Sequence, residues 1–398
     1  MSDLLPLDVS QRVKELPPYV FGRLNTIKIA RRRAGEDIID LGMGNPSDPT
    51  PKPIIDKLCE AVQDPRTHGY SVQADGLSNL KKEVSKFYND EYNVDIDSEE
   101  EVICTIGSKE GLSHMLMSLL SPGDVAIVPT PAFPVHIHGV RLAGGSVLSF
   151  PLSTDEAFFK NLIQVADNFR PKPKIMIVNF PHNPTTITVE LPFFEKLLEI
   201  CRDQGIFLIH DFAYSQITFD GYRAPSMLEV EGAKEVGVEF TSMSKSFNMA
   251  GWRMGFCVGH KQAIDALGQI KGYFDYGMFM PVQIASIIAL RHCKNEARKQ
   301  ARVYQARRDV LCEGLERIGW SVPRPKGTMF TWVPIPRNYR HMSSLDFSLL
   351  LLEEANVAAA PGEAFGQGGN EFLRMALVEN EQRLKQAVRQ IGRVLDLD

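Results

Sequence analysis

VEFTSMSKSFNMAGWRMGFCVG, residues 238–259, sets the reading of the whole chain. Two apolar runs, VEFTSMS (238–244) and GFCVG (255–259), flank a short segment, and Lys245 follows directly on the first run. Runs that are apolar almost throughout, rather than alternating, suit strands covered on both faces, as in parallel α/β sheets. Five more such runs lie upstream: EVICTIG (101–107), VAIVPT (125–130), GSVLSF (145–150), KIMIVNF (174–180) and IFLIHD (206–211). Between them, SKEGLSHMLMSLL (108–120) and LPFFEKLLEICRDQG (191–205) carry apolar residues at three- and four-residue spacing, as crossover helices do. The expected fold class is α/β: a mainly parallel seven-stranded sheet flanked by helices.

Downstream of about residue 280 the pattern changes. Long helices are expected within 281–319, then a short strand around MFTWVPI (329–335), then helices to the C-terminus, together a smaller α+β domain. The first forty or so residues, broken by Pro17-Pro18, are too few to fold alone and should pack on that domain or on a partner subunit. The expected organisation is an arm over 1–45, a large domain over 46–290 and a small domain over 291–398.

Composition narrows the function classes. With 398 residues, 44% hydrophobic and 23% charged, the chain has the make-up of a globular protein, not of a disordered, collagen-like or disulfide-stapled one. A net charge of −5 without long like-sign blocks offers no nucleic-acid footprint. Arg31-Arg32-Arg33 reads as the solvated face of an N-terminal helix, with a phosphate or membrane patch as the other reading. No apolar stretch approaches the ~18 residues of a membrane helix, and MSDLLPLDVSQ lacks a basic-then-apolar leader, so a cytoplasmic location without membrane contact is expected. The six cysteines show no CxxC spacing and read as reduced and structural; His136 and His138 lack a nearby third ligand, so no metal is expected.

In a doubly wound sheet, ligands bind beyond the carboxyl ends of the strands. The strand 206–210 leads to Asp211 and Tyr214, a carboxylate and a phenol that equally suit an ordinary capped turn. Lys245 emerges directly after an apolar strand, flanked by hydroxyls and followed by Arg253, in a segment otherwise poor in charge. A buried lysine loses its proton readily and becomes an amine nucleophile. Gly107-Ser108-Lys109-Glu110-Gly111 joins a strand to a helix, where backbone N–H groups receive an anion or simply make a turn. Asn179-Phe180-Pro181-His182-Asn183-Pro184-Thr185 is another strand-end loop, and Asn-Pro often starts a turn without catalytic meaning. Arg374, embedded in the apolar run FLRMAL (372–377), is hard to explain except as an anion site.

Together these loops resemble the site of fold-type I pyridoxal-phosphate enzymes, the class I/II aminotransferases. The carrying motif is Ser242-x-Ser244-Lys245 with Arg253 eight residues beyond the lysine. The stretches LPPYVF (16–21), IIDLGMGNP (38–46), HGYS (68–71), TIGSKEGL (105–112), SKSFNMAGWR (244–253) and MPVQIA (280–285) are most similar to the bacterial alanine–glutamate aminotransferase group. The resemblance implies pyridoxal 5′-phosphate as cofactor and a ping-pong transfer of an amino group between a small amino acid, alanine foremost, and 2-oxoglutarate. It also admits LL-diaminopimelate or aspartate transamination, a C–S β-lyase, and more remotely a cofactor-binding regulatory module.

The resemblance assigns roles by position. Lys245 bonds the cofactor and shuttles the proton; Asp211 faces the pyridine nitrogen; Asn183 and Tyr214 serve the ring oxygen. Ser108, Lys109, Ser242 and Arg253 hold the phosphate, and Phe133 stacks where relatives often have tyrosine. Arg374, Gly44 and Asn183 meet the substrate carboxylate, with Tyr19 and the 273–280 loop near the side-chain pocket. Tyr70 reaches the phosphate of the neighbouring subunit, which makes the expected unit a homodimer with shared sites. Two departures, His182 and Thr186 in the Asn183 loop, bear on selectivity.

Overall fold

The computed structural model describes residues 7–17, 20–71 and 73–397, so Tyr19 lies outside the described residues. All seven expected strands form, in one sheet: β1 (Val102–Thr105), β2 (Val125–Ile127), β3 (Ser146–Leu148), β4 (Ile175–Val178), β5 (Phe207–Asp211), β6 (Gly237–Ser242) and β7 (Gly255–Gly259). Their order across the sheet is β1-β7-β6-β5-β4-β2-β3. Every neighbouring pair is parallel except the two made by β7, which runs antiparallel to both β1 and β6.

Both faces of this sheet are covered, which explains the unbroken apolar runs. Val102 and Cys104 of β1, with Met176 and Val178 of β4, belong to one buried cluster. Their neighbours Ile103, Ile175 and Ile177 belong to another on the opposite face. Successive side chains point to opposite sides of a strand, so the sheet lies between two cores.

A third core surrounds a smaller antiparallel sheet of β8 (Phe330–Pro334), β9 (Ala360–Pro361) and β10 (Phe372–Ala376), ordered β9-β10-β8. The helices Lys294–Arg317, Ser344–Ala355 and Glu381–Val394 pack there. The helical stretch read over 281–319 is two helices, Met280–His292 and Lys294–Arg317, separated at Cys293. Ile39–Asp40 pairs in parallel with Val357–Ala358, and Ile39 and Leu41 enter the third core.

Arg31 departs from the expected solvated face. Its guanidinium donates to the Leu352 carbonyl, Glu36 and Asn356 Oδ1, tying the helix Val20–Arg33 to the end of the helix Ser344–Ala355. All six cysteines are free; five are buried and Cys59 alone is exposed. Among the described residues no helix is long and apolar enough to cross a membrane.

Candidate active site

A cavity of about 540 Å³ opens beyond the carboxyl ends of β5 and β6, between the large sheet and β8–β10. Ser108, Lys109, Phe133, Asn183, Asp211, Tyr214, Ser242, Lys245, Arg253, Arg374 and Gly44, all singled out from the sequence, line it. Tyr70 does not line it: the ring is 85% exposed and meets Tyr276 edge-on, centroids 5.8 Å apart.

Lys245 sits on the one-turn helix Met243–Ser246, which Ser242 caps by accepting the Ser244 N–H at 3.2 Å. The lysine Nζ donates to the Gly44 carbonyl at 2.8 Å. A Cβ on Gly44 would lie 2.5 Å from Cζ of Phe330, which is itself buried, so only glycine lets this backbone approach. Burial, then the nearby Arg374 and Arg253 cations, push the Lys245 amine down to about 8. The Coulomb part has no counterweight from an acid at hydrogen-bond distance among the described residues.

Asp211 ends β5 and is buried. One carboxylate oxygen, Oδ2, lies 3.0 Å from His136 Nε2; the other, Oδ1, is buried with no hydrogen-bond partner within the chain. Asn179 joins this strand end to the next loop: its Nδ2 donates to the Asp211 carbonyl at 2.5 Å, and its Oδ1 accepts the Asn183 N–H at 2.7 Å. The Asn183 amide then bridges two further groups, donating to Tyr214 Oη at 3.3 Å and accepting from Arg374 Nη1 at 2.9 Å. Burial raises the Tyr214 phenol, against an opposing pull from Arg374.

Arg374, on β10 and 4% exposed, is clamped between two rings, 4.1 Å from the Phe330 centroid and 4.7 Å from that of Phe365. Its Nη2 also donates to the Gly42 carbonyl at 3.1 Å. A planar cation packed against two aromatic rings and hydrogen-bonded to Asn183 and Gly42 is held in place, which suits bidentate capture of a carboxylate.

On the opposite wall, β1 runs into the helix Ser108–Leu119 through Gly107, at φ +75°. A Cβ there would fall 2.4 Å from Arg253 Nη2, so the glycine also makes room for that guanidinium. Arg253 donates to the Ala250 and Ile106 carbonyls at 2.9 and 3.4 Å, and among the described residues no carboxylate pairs with it. An uncompensated arginine over a helix N-terminus suits a phosphate. The Lys109 side chain is exposed and reaches over the cavity rim, its ammonium 5.8 Å from the Phe133 centroid.

Four residues of the site escaped the sequence reading. His136 and His138 read as a pair in sequence, yet residues two apart on the helix Pro134–Leu142 diverge, and of the two only His136 meets Asp211. Asn179 and Phe330 reach partners more than thirty residues away, Asp211 and Arg374, and neither a strand-end Asn nor a phenylalanine such as Phe330 or Phe365 carries a local signal of a loop staple or a cation clamp.

The site fits pyridoxal phosphate on its own atoms: a buried carboxylate oxygen left without a partner, an amine with lowered proton affinity, and an unpaired arginine at a helix N-terminus. The chain matches the family model of class I and II aminotransferases over residues 36–391. It is 47% identical over 398 residues to the glutamate-pyruvate aminotransferase AlaC of Escherichia coli K12, covering 100% of this chain and 96% of that protein. It is 41% identical over 386 residues to the LL-diaminopimelate aminotransferase of Moorella thermoacetica, covering 97% and 98%. Among solved structures, apo-BacF of Bacillus subtilis superposes with a TM-score of 0.92 at 34% identity, covering 99% and 100% of the two chains. The chain thus belongs to the class I and II aminotransferases and is a transaminase of fold type I that uses pyridoxal 5′-phosphate.

Proposed function

We propose that this transaminase exchanges an amino group between alanine and 2-oxoglutarate, as a cytoplasmic homodimer whose two sites share residues. The observation that carries the reading is the Arg374 clamp, an oriented cation within one cavity with Lys245 and suited to an α-carboxylate, in a chain 47% identical throughout to a glutamate-pyruvate aminotransferase. Pyridoxal 5′-phosphate, when bound, supplies the electron sink for negative charge developing at the substrate Cα.

The chain's own groups do the rest. Arg374, with Asn183 beside it, binds and orients the substrate α-carboxylate. Lys245 Nζ takes the proton from the substrate Cα; burial and the neighbouring cations hold the amine down to about 8, which favours the neutral form that can act as the base. Asp211 presents its unpartnered Oδ1 to the pyridine nitrogen and keeps the ring protonated, while His136 holds Oδ2. Tyr214 accepts from Asn183, which leaves its hydroxyl proton for the ring oxygen. Ser108, the Lys109 backbone, Ser242 and Arg253 hold the phosphate, and Phe133 stacks on the ring.

Lys109 Nζ, at the rim without an acidic partner among the described residues, suits the distal carboxylate of glutamate and 2-oxoglutarate. Residues 46–290 supply the cofactor walls, and 1–45 with 291–398 supply Gly44 and Arg374. Tyr70 and Tyr276, in edge-on contact, and the exposed Tyr273 and Phe279 are aromatic residues suited to meeting a second copy of the chain. A second reading, LL-diaminopimelate as donor, has support from several relatives of that name at 38–41% identity. Steady-state transamination with a panel of donors at fixed 2-oxoglutarate tests the choice. Alanine is expected to give the highest kcat/KM; a higher value with LL-diaminopimelate would replace the reading.

A further inference from the structure

A carboxylate stands where a phosphate cradle calls for positive charge. Glu110 lies in the first turn of the helix Ser108–Leu119, and its Oε2 accepts the Ile106 N–H at 2.6 Å. Acidic groups at a helix N-terminus satisfy the same N–H groups and the same end of the dipole that attract a bound anion. Burial would raise the Glu110 carboxyl, but His114, Lys271 and the Ile106 N–H outweigh it and keep the group below its usual range. Glu110 is therefore an anion beside Ser108, and by itself it would oppose a dianionic phosphate.

Its counterweight is Lys271, on the helix Lys261–Phe274 and fully buried. The lysine Nζ lies 3.3 and 3.4 Å from the two Glu110 oxygens and 2.8 Å from Asp275 Oδ2. His114 Nδ1 is 2.5 Å from Glu110 Oε1. Ligand-type atoms of Glu110, His114 and Asp275 fall within 4.8 Å of one another, a spacing that suits a cation, and the cation inside it is the Lys271 ammonium. A buried ammonium without partners costs several kcal/mol, so this lysine stays only because the acids hold it.

Neither Lys271 nor Glu110 lines the cavity. They act on the peptide between Thr105 and Gly107: Glu110 grips the Ile106 N–H while Arg253 grips the Ile106 carbonyl at 3.4 Å. We infer that Lys271 is a positioning residue for the cofactor phosphate, neutralising Glu110 so that this carboxylate clamps the Ile106–Gly107 turn without cancelling the positive field of the helix N-terminus. The inference rests on reading Gly107–Lys109 and Arg253 as the phosphate cradle.

The test is phosphate discrimination by the apoprotein: dissociation constants for pyridoxal 5′-phosphate and for pyridoxal, which lacks the phosphate, and their ratio. Lys271→Met is expected to reduce that ratio by about tenfold or more with pyridoxal affinity little changed. Glu110→Gln keeps an acceptor for Ile106 and loses the charge, so its ratio stays level or rises, and the double variant, which leaves Asp275 as the one carboxylate formerly held by Lys271, recovers part of the loss. Proportional weakening of both ligands in Lys271→Met, or a fall of the ratio in Glu110→Gln, would overturn the inference. Should Lys271→Met not fold, Glu110→Gln decides alone. An unaltered protein that shows no preference for the phosphorylated ligand would instead remove the cradle reading itself.

Discussion

Asp211 and Lys245 illustrate two ways a buried group is tuned. The carboxylate has one oxygen fixed by His136 and the other turned to the cavity without a partner. Asp211→Asn removes the charge proposed to meet the cofactor nitrogen and is expected to lower kcat by ~10³-fold, whereas His136→Phe leaves the charge and loses only its orientation, about tenfold. Equal losses in single-turnover assays would show that the histidine does more than hold Asp211. The lysine is tuned by burial and by two cations. Its neutral, nucleophilic form accumulates as pH rises through about 8, so capture of pyridoxal phosphate by the apoprotein should accelerate with its midpoint around that pH and level off above it. Removing Arg374 as a neighbour, in Arg374→Leu, moves that midpoint upward toward the ordinary lysine value; a downward shift of the midpoint would contradict the electrostatic account.

Among the loops, the Asn183 loop carries visible strain. Thr186 sits at φ +62°, a left-handed conformation that a β-branched residue seldom adopts. Beside it His182 is buried and, by burial and then by the neighbouring His136, held down to about 3, so it stays neutral and accepts the Thr185 N–H on Nδ1. Thr186→Gly relieves the strain and is expected to raise stability by about 1 kcal/mol, read as a higher midpoint in urea with an unchanged slope; an unchanged or lower midpoint would mean that Thr186 contacts compensate. Six of the seven strands were legible because they are buried on both faces and spell it as a mostly apolar run; the edge strand Ser146–Leu148 is only partly covered and was legible from its sequence pattern alone. Asp211, Ser242 and Lys245 were legible because they end or directly follow such runs. Phe330, in an apolar strand, and Phe365, at the end of the short 3-10 helix Gly362–Phe365, were not, since a buried phenylalanine reads as core until Arg374 is seen against both rings. Arg31 failed for the opposite reason: a basic run on a helix reads as solvated until the end of a helix over three hundred residues away receives it.

At the scale of the molecule, one chain builds nearly the whole site, with Gly44 from the N-terminal segment and Arg374 from β10 closing over walls supplied by the large sheet. Tyr70 is the exception, exposed, outside the lining of its own cavity and in contact with the exposed Tyr276. If Tyr70 serves the partner's site, inactive Lys245→Ala chains and impaired Tyr70→Ala chains should complement when mixed and reassociated. Each heterodimer then holds one site with both native residues, so random reassociation of an equal mixture restores activity to about a quarter of the native value; no gain on mixing would place Tyr70 outside the shared site. The proposal as a whole turns on the donor and on the fate of its nitrogen. The most direct measurement is a half-reaction: holoenzyme plus alanine with no oxo acid present, following the visible band of the lysine-bound cofactor together with pyruvate and ammonia. The expected result is loss of the band with about one pyruvate per site, no ammonia, and recovery of the band on adding 2-oxoglutarate. A band that persists with alanine but is lost with LL-diaminopimelate, or continuous release of pyruvate with ammonia, would contradict the assignment.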